Sequence, residues 1–78
     1  MSEKGFIAER LYQVYRDSRI GSRREAEAIA ALGECGGSTA VGYLEFIYKN
    51  TPSGSDRESA AIRALGRAGR NDLETRTG

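Results

Sequence analysis

Arg24-Glu25-Ala26-Glu27-Ala28-Ile29-Ala30-Ala31-Leu32-Gly33-Glu34-Cys35-Gly36 returns 33 residues later as Arg57-Glu58-Ser59-Ala60-Ala61-Ile62-Arg63-Ala64-Leu65-Gly66-Arg67-Ala68-Gly69. Laid over 38–69 without a gap, residues 5–36 give 12 identities in 32 pairs, including Leu11/Leu44, Tyr15/Tyr48, Ile29/Ile62, Leu32/Leu65 and Gly33/Gly66. Self-similarity at this spacing marks a stacked-repeat architecture, in which one unit cannot bury its apolar face alone and neighbouring units share a core. The chain therefore divides into repeats at about 5–36 and 38–69, together a single domain over 1–69.

Outward from the echo, hydrophobic period and breakers place four helices. Phe6, Ile7, Leu11, Val14 and Tyr15 share one face of a first helix over about 4–18, opposite Glu9, Arg10, Gln13, Arg16 and Asp17. Ser22, with Glu25 three residues on, has the spacing of a capping box and opens a second helix over about 23–35, which stops at Gly36-Gly37. Ser38 or Thr39 is expected to cap a third helix with Val41, Leu44, Ile47 and Tyr48 on its inner stripe. After Thr51-Pro52-Ser53-Gly54, Ser55 and Glu58 restart the fourth at the same spacing. That helix is expected to end near Gly69, leaving 70–78, whose one apolar side chain is Leu73, as a flexible tail. The predicted fold class is all-α, a short α-solenoid of about four helices in antiparallel hairpins.

Composition removes several function classes. In 78 residues there is one Cys and no His, which excludes an intramolecular disulfide and a zinc site of Cys and His ligands. Twelve basic against 11 acidic residues leave a net charge of +1, which supplies no global field toward nucleic acid or a membrane surface. Nothing approaches an 18-residue apolar run, and Ser2-Glu3-Lys4 does not open a signal peptide, so no membrane role is expected and the default compartment is cytoplasmic. No catalytic motif is present and no cofactor is expected: Cys35 has no His to activate it, and its register partner Ala68 marks a small packing position. The glycines at 33 and 66 weaken their helices by about 0.5–1 kcal/mol each. Close passage of a neighbouring helix explains them better than a ligand does.

Ala31-Leu32-Gly33-Glu34-Cys35-Gly36 followed by Ala40-Val41-Gly42-Tyr43-Leu44, and again Ala64-Leu65-Gly66-Arg67-Ala68-Gly69, resemble the HEAT-like repeats typified by the phycocyanobilin lyase family. The resemblance spans about residues 5–69. It implies an α-solenoid that scaffolds protein–protein contact; a few members act as bilin lyases, iron-dependent hydroxylases or DNA glycosylases. The family usually has Val-Arg at the head of the alanine-rich helix, the Arg reaching an Asp in the preceding turn. Here those positions read Arg24-Glu25 and Arg57-Glu58, with Asp17 at the first turn and Asn50 at the second, so a repeated Asp–Arg ladder is not expected.

Candidate binding residues are the large side chains beside the core stripe. With the concave side that the family resemblance implies, Tyr12, Tyr43 and Phe46 lie on or beside a protein-binding surface; otherwise these rings wrap the edge of the core or a dimer contact. Phe6 and Ile7 at one end and Ile62 and Leu65 at the other are candidates for self-association, because the register makes the first helix the tail of one unit and the fourth the head of another. A homodimer joining these ends across a two-fold axis is expected. Ten of the 12 basic residues are Arg, and Arg16, Arg19, Arg23 and Arg24 gather about the first inter-helix turn as an alternative anion-binding group. Interleaved carboxylates weigh against nucleic acid. The leading expectation is thus a non-enzymatic adaptor, scaffold or regulatory module for a protein partner, and the alternative an accessory protein for nucleic acid or for chromophore or cofactor handling.

Overall fold

Each alanine-rich helix opens with the same local device. In a computed structural model describing the backbone of residues 3–77 and the side chains of 3–70, the Glu25 N–H donates to Ser22 Oγ at 3.2 Å while the Gly21 N–H donates to Glu25 Oε1 at 2.9 Å. Thirty-three residues on, the Glu58 N–H donates to Ser55 Oγ at 3.1 Å and the Gly54 N–H to Glu58 Oε1 at 2.8 Å. Two donors at each helix start are thereby satisfied reciprocally, fixing where each helix begins.

Four helices result: α1 over Glu3–Asp17, α2 over Arg23–Cys35, α3 over Gly37–Lys49 and α4 over Asp56–Thr77, with no strand among the described residues. The all-α class is as expected. At the α2–α3 junction the expected cap at Ser38 or Thr39 is not used: α3 begins at Gly37. Gly36 alone ends one helix and opens the next, at φ 68° and ψ −169°, a backbone setting that favours glycine. The expected stop near Gly69 is also absent. α4 continues to Thr77 because Gly69, unlike Gly36, keeps a helical φ, and no proline comes after it.

The core is thin and rich in small side chains. Ala8, Ala28, Ala40, Ala61, Ala64 and Ala68 are buried with Ile29, Leu32, Leu44 and Ile47, while Leu11, Tyr12, Tyr15, Val41 and Leu65 pack against them. α1 contributes Gly5 and Ala8 as its fully buried positions, and Phe6 and Ile7, predicted for its inner stripe, lie about half exposed. Small residues let the helices approach closely. A methyl group added at Gly33 would lie 2.8 Å from the Ala64 carbonyl oxygen and 2.9 Å from its Cα, so α2 passes α4 at a distance that admits no side chain. α1 packs on α2 and α3, α2 also on α3 and α4, and α3 on α4, whereas the backbones of α1 and α4 stay apart among the described residues.

Candidate interaction surfaces

The aromatic residues singled out from the sequence come together where α1 meets α3. Tyr12 and Tyr43 stack with centroids 4.2 Å apart and planes 6° from parallel, Tyr15 lies 5.8 Å from Tyr12, and Phe46 meets Tyr12 edge-on at 6.3 Å. Tyr12 and Tyr43 are half buried against the core, while Phe46 is 54% exposed. Two rings thus form part of the core wall and the third stands out on it. Stacked and edge-on ring pairs contribute roughly 0.5–1.5 kcal/mol beyond burial, which favours this arrangement of the three rings.

A second constellation was not foreseen. Glu25, with its side chain 6% exposed, uses Oε1 in the cap and turns Oε2 toward Arg57 Nε at 3.4 Å, the Arg57 side chain being 18% exposed. Arg57 Nε has no hydrogen-bond partner, so the pairing there is electrostatic. The Tyr15 phenol hydrogen-bonds the Arg57 side chain, and its pKa is pushed above the usual 10.0 chiefly by burial, with Arg57 opposing and Glu25 adding. These three residues tie α1, α2 and α4 together. Glu25 and Arg57 form an Arg–Glu link between the heads of α2 and α4. Its sequence signal is the Arg-Glu dipeptide recurring at 24–25 and 57–58. The neighbouring cleft of about 290 Å³ runs between the α1–α2 turn and the start of α4, with Ile20, a lone apolar side chain 76% exposed, on its rim.

Of the self-association candidates, Phe6, Ile7 and Ile62 are exposed, and Leu65 is half buried against the core. Arg16, Arg19, Arg23 and Arg24 are all exposed at the end of α1, in the turn and at the head of α2; Arg23 meets Glu27 at 3.9 Å, an exposed pair of little energetic weight. A further inter-helix pair joins Arg67 Nε to Glu34 Oε1 at 2.6 Å. The Cys35 thiol donates to the Lys4 carbonyl at 3.6 Å, as a packing residue between α2 and α1 would. No helix among the described residues is long and apolar enough to cross a membrane. Comparison with protein-family models, curated proteins and solved structures returned no match to this chain.

Proposed function

We propose that this chain is a small HEAT-like repeat module, a short α-solenoid of two helical hairpins, that acts by binding another protein as an adaptor, scaffold or regulatory subunit without catalysis of its own. The solenoid reading is supported by the twin capping boxes at one register and by a packing order in which each helix lies closest to its neighbours and the backbones of α1 and α4 stay apart. The binding reading rests above all on Phe46, 54% exposed on the Tyr12–Tyr43 stack. An exposed aromatic standing out of a packed platform is the kind of residue that serves as an interface anchor. The arginine group at the first turn supports a nucleic-acid reading less well, since Asp17, Glu25 and Glu27 are interleaved with it and the whole chain carries a net charge of only +1.

The test is quantitative capture from native lysate with wild-type chain and with Phe46→Ala, followed by mass spectrometry. Because Phe46 is largely exposed, the variant keeps its fold. A specific partner should fall roughly tenfold or more; an identical captured set from both baits would remove the aromatic platform from the account.

A further inference from the structure

We infer that the outer face of α4 receives a second copy of this chain, stacked head to tail in the register by which α4 already sits on α2. The inference rests on the repeat-module reading above. The face α2 presents to α4 is repeated on α4 itself, where none of the described residues covers it: Ile29 is 1% exposed and its equivalent Ile62 is 51% exposed. Gly33 is closed off by the Ala64 backbone, whereas Gly66 has no atom within 4 Å of where a methyl would stand. Gly66 therefore weakens its helix with no neighbour among the described residues close enough to require it. Ala31, half buried on α2, is the register equivalent of Ala64 and supplies the missing neighbour in a second copy.

Charge identifies the occupant. Each contact between the repeats, shifted by 33 residues, names a pair between this chain and the next copy. Glu25 with Arg57 becomes Glu58 with Arg24. Glu34 with Arg67 becomes Arg67 with Glu34, and the stacked Tyr12 and Tyr43 become Glu45 and Arg10. Ala30 and Ala60, which line one groove between α2 and α4, become Arg63 and Glu27. All four shifted pairs are of opposite sign, although the aromatic stack and the alanine-lined groove from which two of them derive carry no charge; the edge-on Tyr12–Phe46 contact, shifted likewise, gives the polar pair Glu45 and Gln13. Glu58 is preset for its role: Oε1 is held by the Gly54 N–H, just as Glu25 Oε1 is held by the Gly21 N–H while Oε2 faces an arginine. Phe6 and Ile7, exposed on α1, lie on the element that would cover α3 of the neighbour. Because such a contact is heterologous it does not close at two copies.

Sedimentation velocity of the purified chain, over about a hundred-fold range of concentration reaching the millimolar, tests this without any other partner, so it stands or falls separately from the Phe46 experiment. Wild type should rise continuously from 8.5 kDa through dimer to larger species. Gly66→Leu should stay at the monomer mass with its helical signal and melting intact. Arg63→Glu and Glu27→Arg, both exposed and outside the caps, should each weaken association several-fold, and the double charge swap should restore it. A monomer at every concentration, a species that stops at two copies as a two-fold dimer would, or a double swap no better than the singles would overturn the inference.

Discussion

Glu25 does two jobs with its two oxygens, completing the cap of α2 and countering the arginine that α4 inserts against it. Replacing Arg57 by Gln leaves that carboxylate buried with no cation. The expected cost is about 3 kcal/mol, since a buried pair broken from one side leaves an uncompensated charge. Urea unfolding of Arg57→Gln, Glu25→Gln and the double variant should show the double losing less than the sum of the singles; simple additivity would mean the pair is not coupled. Tyr15 adds a pH signature. Its pKa is raised in the folded state, mainly by burial, so the native state holds the phenolic proton more tightly than the unfolded chain does. The stabilisation is therefore fully present below pH 10.0 and is lost as pH rises through the folded value. Tyr15→Phe should flatten the alkaline fall in melting temperature, and an unchanged alkaline limb would contradict this placement of the phenol.

At the scale of elements, the twin caps are the most directly testable feature. Ser22→Ala and Ser55→Ala should each cost about 1 kcal/mol, lowering the melting temperature by roughly 4–8 °C, and the two effects should add because the sites share no partner. Loss at one site only would show that the repeats do not begin alike. These starts were legible in the sequence, since Ser-x-x-Glu reports a local hydrogen-bond pattern that needs no tertiary context. The helix ends were less so. Gly36 and Gly69 are the same residue at the same register, yet one reverses the chain and the other continues a helix. The residues downstream make the difference: Gly37 also takes a positive φ, of 85°, whereas nothing after Gly69 forces a turn. The Tyr12, Tyr43 and Phe46 assembly was legible as a group, because register showed which large side chains lie beside the core stripe. The Glu25–Arg57–Tyr15 link was not. It joins three helices, and a single sequence gives no measure of how close two helices of alanine approach.

Across the whole molecule, the 33-residue period gives α2 and α4 equivalent residues in different surroundings, Ile29 being buried and Ile62 exposed. The six buried alanines make close approach possible, and Gly33 shows how far it goes. The comparison that tests this most directly is thermal unfolding, in dilute solution, of Gly33→Leu beside Gly66→Leu, one substitution at two positions that the sequence treats alike. Gly33→Leu should force α2 from the Ala64 backbone and lose at least about 2 kcal/mol, a fall of roughly 8–16 °C. Gly66→Leu should hold or gain, by about 0.5–1 kcal/mol, because a helix prefers leucine to glycine where nothing is in the way. Equal destabilisation at both positions, or none at Gly33, would contradict the account.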